Sequence, residues 1–252
     1  VITEKRPKSS KEYVFPKKCP SCGERTEQPE GEAVPRCVNM ACDEQIKAGI
    51  SHFASKDAMD IDGLGWKIVE QLYDVNLVRS IADLYGLKTT DLEELEGFGE
   101  RSAQKLVDAV AASKNRTLGR IIYGLGIRHV GETLAKALAG NFKSIDELGE
   151  ANEETLLSVP EVGTEVAKSI LEWFAKDANR KLIKGLAEAG VKPQKAAGPK
   201  SQKLKGLSVV VTGYLEKISR NEAQALIEAH GGKVGSGVIS KTAYLVVGAN
   251  NG

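Results

Sequence analysis

Four cysteines, Cys19, Cys22, Cys37 and Cys42, are the only ones in 252 residues. They form a Cys-x2-Cys and a Cys-x4-Cys pair, with 14 residues between Cys22 and Cys37. Each short pair fits a tight turn, and Gly23 lets the first one double back. Two such turns present four thiolates to one Zn²⁺ at about 2.3 Å in tetrahedral geometry. With sulfur in every position no place is left for water, so the ion is structural. Disulfides of a secreted fold would be spread along the chain, and these are not. The bland alternative is a set of reduced, unliganded thiols or a redox pair. On the zinc reading, a segment of about 24 residues with almost no core folds around its metal, and chelation unfolds residues 15–45.

The second feature is a repeat. Ile61-Asp-Gly63-Leu64-Gly65 precedes Val69 and Leu72, and Leu95-Glu-Gly97-Phe98-Gly99 precedes Ala103 and Leu106. Ile127-Arg128-His129-Val130-Gly131 precedes Ala135 and Leu138, and Val159-Pro-Glu161-Val162-Gly163 precedes Ala167 and Ile170. The final glycines are offset by 34, 32 and 32 residues, which marks one repeated unit. In each copy apolar residues anchor a hairpin between two helices, and glycine lets the backbone turn and come close to a neighbour. The amides that open the second helix have no intrahelical partner and sit at the positive end of its dipole, so they suit a phosphate. Lys67, Arg101, Lys105, Arg128, Lys136 and Lys168 surround the hairpins. Together with Gly63, Gly65, Gly97, Gly99, Gly131 and Gly163 they are the expected DNA-binding residues, four hairpins tracking a duplex backbone without reading its sequence. His129 and Glu161 stand where the first two copies have glycine, and Glu161 repels a phosphate, which makes the fourth hairpin the weakest candidate. The alternative is a plain helical repeat with glycine caps that face protein or solvent. His52, His129 and His230 have no second ligand or nucleophile at useful spacing and read as surface or packing residues.

These residues need elements to hold them. Residues 43–190 read as helices of about 8–14 residues separated by short turns. Residues 191–206, with five lysines and no acid, read as a linker. From residue 207 the period changes: LSVVVT and YLVV read as strands around a helix that ends at Gly231-Gly232. Ser219 and Glu222 form a capping-box pattern before that helix. Net charge is +1, yet residues 43–190 hold 18 basic against 25 acidic residues, so phosphate binding there depends on local geometry. No apolar run approaches the ~18 residues of a membrane helix, and VITEKRPKSS is not a signal peptide. The missing initiator Met points to a piece of a longer protein, and no membrane partner is expected.

The repeat resembles the helix-hairpin-helix motif of DNA repair and replication proteins, and residues 207–252 resemble the first half of a BRCT domain. With CPSCG, AMDIDGLG, YGLGIRHVGE and VTGYL in this order, nearly the whole chain resembles the C-terminal part of the NAD-dependent DNA ligases of bacteria. The resemblance implies a mainly α fold: the tail of an OB fold at 1–18, a four-cysteine zinc module (a zinc finger) at 19–42, four helix-hairpin-helix copies at 43–190, then a truncated α/β BRCT unit. Enzymes of that family seal nicks in duplex DNA in replication and repair. They use NAD and Mg²⁺ in an N-terminal adenylation domain whose lysine lies in a K-x-D-G motif. Asp62-Gly63 is preceded by Asp60, not Lys, and no catalytic residue is expected here. The chain is thus expected to clamp nicked DNA without ligating, the BRCT unit adding a protein or DNA-end contact, in the nucleoid-associated cytoplasm of a bacterium. A DNA-repair nuclease with tandem helix-hairpin-helix units and a non-enzymatic scaffold are the alternatives.

Overall fold

The computed structural model describes residues 6–7, 10, 13–28, 31, 33–39, 41–194, 201–235 and 237–249. The expected OB-fold tail at 1–18 lies partly outside these residues, as do 195–200 of the expected linker and the last residues of the expected BRCT unit. The chain divides into two compact units, residues 1–194 and 195–252.

The first unit begins with a two-stranded antiparallel ribbon, β1 (Thr26–Glu27) and β2 (Arg36–Cys37), in which Thr26 pairs with Cys37. Ten α-helices follow among the described residues. The longer ones are α1 (Asp43–Ala54), α2 (Trp66–Asp74), α4 (Glu100–Ser113), α6 (Glu132–Asn141), α9 (Thr164–Ala175) and α10 (Asp177–Glu188). Between them lie the short α3 (Thr89–Glu93), α5 (Leu118–Gly124), α7 (Ile145–Gly149) and α8 (Glu153–Leu157). Each long helix buries one stripe: α4 buries Ala103, Leu106 and Val110, three or four residues apart, and turns Arg101 and Lys105 to solvent. These stripes meet in one core that runs from Ile50 and Phe53 through Leu72, Leu84, Ile121 and Leu138 to Leu156 and Ile170. Because the apolar repeat positions all face inward, the core fixes the hairpins and leaves their tips outside.

The second unit is a three-stranded parallel sheet with β3 (Ser208–Thr212) between β4 (Lys233–Gly235) and β5 (Thr242–Val247). Helix α11 (Arg220–Ala229) packs Ala223 and Ile227 on Val209 and Val211. Ser219 and Glu222 cap it reciprocally: Ser219 Oγ accepts the Glu222 N–H at 3.2 Å, and the Glu222 carboxylate accepts the Ser219 N–H at 2.7 Å.

The lysine-rich stretch 191–206 is shared between the units. Val191 is buried, and the N–H groups of Lys192 and Gln194 bond to the carbonyls of Lys114 and Arg116. On the other side, the Ser201 and Leu204 N–H groups bond to the carbonyls of Ala229 and His230. Composition reads this stretch as a solvated tether; among its described residues, the N–H groups of Lys192, Gln194, Ser201 and Leu204 bond to the structure that flanks it.

Candidate metal centre and nucleic-acid interface

The cysteine module is built from its turns. The Gly23 N–H bonds to the Cys19 carbonyl at 2.9 Å, with Gly23 in the left-handed region at φ +74°. This folds the first pair into a knuckle. In the second pair the Asn39 N–H points at Cys37 Sγ (3.4 Å), and the Cys42 N–H bonds to the Asn39 carbonyl. Cys42 is also the buried N-cap residue of α1, so this ligand is anchored to the first helix of the core.

The four Sγ atoms lie within 4.8 Å of one another, with Cys19–Cys42 at 3.9 Å and Cys22–Cys37 at 3.5 Å. A tetrahedron with Zn–S bonds of about 2.3 Å has edges of about 3.8 Å. A disulfide requires about 2.05 Å, so these are separate thiols gathered around a centre. The Glu24 backbone N–H, then Asn39, lowers Cys22 to about 7. Burial, then the neighbouring thiols Cys22 and Cys19, pushes Cys37 up to about 12. Four thiolates at this spacing repel one another without a cation between them. The donor set therefore fits Zn²⁺.

All four hairpins share one backbone. Their third residues, Gly63, Gly97, His129 and Glu161, take φ of +87°, +84°, +64° and +69°. In each, the fourth residue's N–H closes on the first residue's carbonyl: Leu64 to Ile61, Phe98 to Leu95, Val130 to Ile127, Val162 to Val159. The fifth residue, always glycine, is the extended N-cap of the next helix, with φ between −79° and −131°. Four residues on, the N–H of Val69, Ala103, Ala135 or Ala167 bonds back to that glycine's carbonyl. Those four side chains are fully buried, which sets the close approach of the helices.

The sequence pattern places the turn at the wrong glycine. Left-handed backbone falls on the third residue, where two copies manage without glycine. At Gly65, Gly99, Gly131 and Gly163 the backbone suits any residue, and an added Cβ would meet nothing within 4 Å. All four are exposed. Among the described residues, neither φ nor a neighbouring atom requires glycine at these four positions.

The hairpins differ in how open their amides are. Among the described residues, the N–H groups of Gly65, Gly131 and Gly163 have no intramolecular acceptor, whereas that of Gly99 bonds to Ser102 Oγ at 2.9 Å. The first turn of α2 holds no acid, while those of α4, α6 and α9 hold Glu100, Glu132 and Glu165. The helix start after hairpin one is thus the least acidic of the four, while Asp62 stands in that hairpin's turn.

The flanking cations are less available than their positions imply. Lys105 pairs with Asp62 at 2.7 Å and holds that carboxyl below the usual carboxylate range. Lys136 pairs with Glu132 at 3.2 Å and Lys168 with Glu172 at 4.0 Å. Lys67, Arg101 and Arg128 are exposed beside hairpins one, two and three. His52 is a packing residue whose Nε2 lies 2.8 Å from the Tyr123 carbonyl, and His230 Nδ1 sits 2.7 Å from Ser201 Oγ.

A cysteine-gathered metal centre beside four glycine-ended hairpins defines a zinc-finger, helix-hairpin-helix protein. Comparison with known families agrees in each part. Residues 18–43 match the NAD-dependent DNA ligase C4 zinc finger domain, 55–112 the SAM-like helix-hairpin-helix tandem, 120–183 the helix-hairpin-helix motif, and 199–252 the BRCA1 C Terminus (BRCT) domain. Over its whole length the chain is 47% identical to a DNA ligase of Hydrogenobaculum sp., covering 36% of that protein. It is 45% identical to one of Pelotomaculum thermopropionicum, covering 37%, and 44% identical to one of Geobacter sulfurreducens, covering 38%. The chain belongs to the NAD-dependent DNA ligase family, and it spans little more than a third of the length of these relatives.

Sequence reasoning missed Arg116 and Arg120. Their carbonyl partners lie 56 to 64 residues away, and no spacing rule links such positions.

Proposed function

We propose that this chain is the duplex-holding C-terminal part of an NAD-dependent DNA ligase. Its hairpins grip the sugar–phosphate backbone around a nick while other domains of the enzyme carry out sealing. One observation supports this above the rest: at Gly65, Gly99, Gly131 and Gly163 neither φ nor internal packing asks for glycine, yet each opens a helix toward solvent. A bare amide at a helix N-terminus binds a phosphate oxygen, and a Cβ would stand in its way. Lys67, Arg101 and Arg128 add charge beside three of these amides, Lys105, Lys136 and Lys168 contribute once their carboxylate partners release them, and Gly63 and Gly97 shape the first two tips.

Cys19, Cys22, Cys37 and Cys42 hold one structural Zn²⁺, which supplies cross-linking and no reaction chemistry. Gripping both flanks of a nick orients its ends and lowers the cost of bringing them into line. NAD and Mg²⁺ act at the adenylation domain of the parent enzyme. With no K-x-D-G motif, the chain by itself joins no ends. The BRCT unit adds a protein or DNA-end contact, and the setting is the bacterial cytoplasm at the nucleoid.

Titrating the chain with nicked, intact and single-stranded DNA over a range of salt tests this reading. Duplex is preferred, and log K falls with log salt by up to about 0.9 per phosphate held. Equal and negligible binding to all three overturns it in favour of a protein scaffold; metal-dependent cleavage favours a nuclease.

A further inference from the structure

Hairpin one differs from the others in how it is reached. One residue lies between α3 and hairpin two and between α8 and hairpin four, and two lie between α5 and hairpin three. Six residues, 55–60, lie between α1 and hairpin one, and they are not helical. Two backbone bonds tie this segment to the end of α1, from the Met59 N–H to the Phe53 carbonyl and from the Ile61 N–H to the Ala54 carbonyl, and four of its carbonyls are held from elsewhere.

The brace comes from the lead helix of hairpin three. Arg116, just before α5, donates from Nε to the Met59 carbonyl at 2.9 Å. Its Nη2 donates to the Asp60 carbonyl at 3.2 Å and to the Asp60 carboxylate at 2.9 Å. Arg120, one turn along, donates from Nε to the Ala58 carbonyl at 2.6 Å and from Nη2 to the Lys56 carbonyl. Two guanidinium forks thus collect four carbonyls that no helix or sheet uses. Asp60, the last residue before the hairpin, sits at φ +52°, in the left-handed region. Alongside, α5 touches the end of α1 directly: an added Cβ at Gly124 would lie 3.0 Å from Phe53 Cδ2.

We propose that Arg116 and Arg120 are positioning residues that set hairpin one against hairpin three, so that the two reach phosphates of one duplex together. The inference rests on the duplex-holding function proposed above. A lysine at either position keeps the charge and loses the fork, since a single ammonium cannot bridge carbonyls spaced for a guanidinium.

The test measures affinity of the full 252-residue chain for a nicked duplex across salt concentrations, with zinc content and helicity as controls. Arg116→Lys and Arg120→Lys each weaken binding and flatten the salt dependence, while metal content and helicity stay at wild-type levels. In a Gly65→Val background, where hairpin one is already blocked, neither lysine variant weakens binding further. In a Gly163→Val background each weakens it by its usual factor. A purely structural role predicts equal losses in both backgrounds, and that result overturns the proposal. So does wild-type affinity in both lysine variants. Should the unaltered chain hold no duplex at all, the duplex-holding function falls and this inference with it; should it bind while both variants match it, only the inference falls.

Discussion

Two glycines two residues apart in hairpin one do opposite jobs, and substituting each by alanine separates them. Gly63 has φ +87°, and its added Cβ would meet only Leu106 Cδ1, at 3.9 Å. Space is not the obstacle there; the left-handed backbone is, at roughly 1–2 kcal/mol for a residue with a Cβ. Gly65 has φ −80° and open space around its Cβ. Alanine there restricts the unfolded chain, a gain of about 0.4–1 kcal/mol, but is a poorer N-cap than glycine by a comparable amount, so stability is expected to change little. Its methyl, however, occupies the approach to the Gly65 and Trp66 amides. Loss of one hydrogen bond to a charged group is worth about 1.5–3 kcal/mol, so affinity for duplex falls by roughly tenfold to a hundredfold. Urea unfolding and a DNA titration read out the two quantities independently. The reasoning is refuted if Gly65→Ala unfolds as easily as Gly63→Ala while binding DNA like the unaltered chain.

Three further outcomes follow from the same geometry. Glu161 holds φ +69° without being glycine, so Glu161→Gly is expected to leave stability level or raise it by up to about 1 kcal/mol in chemical unfolding. It also tightens DNA binding, because a carboxylate leaves the hairpin tip. Asp62→Asn releases Lys105 from its 2.7 Å ion pair and is expected to raise duplex affinity and steepen its salt dependence by up to about 0.9; unchanged salt dependence means that Lys105 lies away from the DNA. Removing zinc with a chelator, or Cys37→Ser, is expected to melt the ribbon at 26–37 and fray the start of α1 while the helical core persists; metal analysis should count one zinc per chain, and unaltered amide protection around Cys42 after metal loss contradicts this.

Much of the site was legible because its signals are local. Cysteine spacing sets which thiols can share an ion, and apolar spacing sets which helix stripes face inward. Both depend on residues within a turn or two of each other. The glycine pattern was read correctly as a hairpin and incorrectly in its parts. His129 and Glu161 occupy the left-handed position because the Ile127–Val130 and Val159–Val162 turns impose it through buried apolar anchors, and no propensity scale includes that tertiary force. The Lys105–Asp62 and Arg116–Asp60 pairs were invisible for a different reason: 43 and 56 residues separate the partners, and only the packing of α4 and α5 against hairpin one's approach brings them together.

These long-range pairs bear on how an acidic body holds an anion. Residues 43–190 carry 18 basic against 25 acidic side chains, and the flanking Lys105, Lys136 and Lys168 are already paired with carboxylates. Summed charge therefore repels DNA at a distance. On the proposed function, what attracts is concentrated at the first turns of helices, where oriented amides act over a few ångströms and only on a group that can come that close. Such a surface discourages loose electrostatic adhesion and rewards a duplex whose phosphates arrive at several tips in register. On the proposed duplex-holding function, a grip that engages only when several tips are filled holds the right geometry without adhering to every stretch of backbone. The position of hairpin one, braced by two arginines from hairpin three's helix, then matters more than any single positive charge.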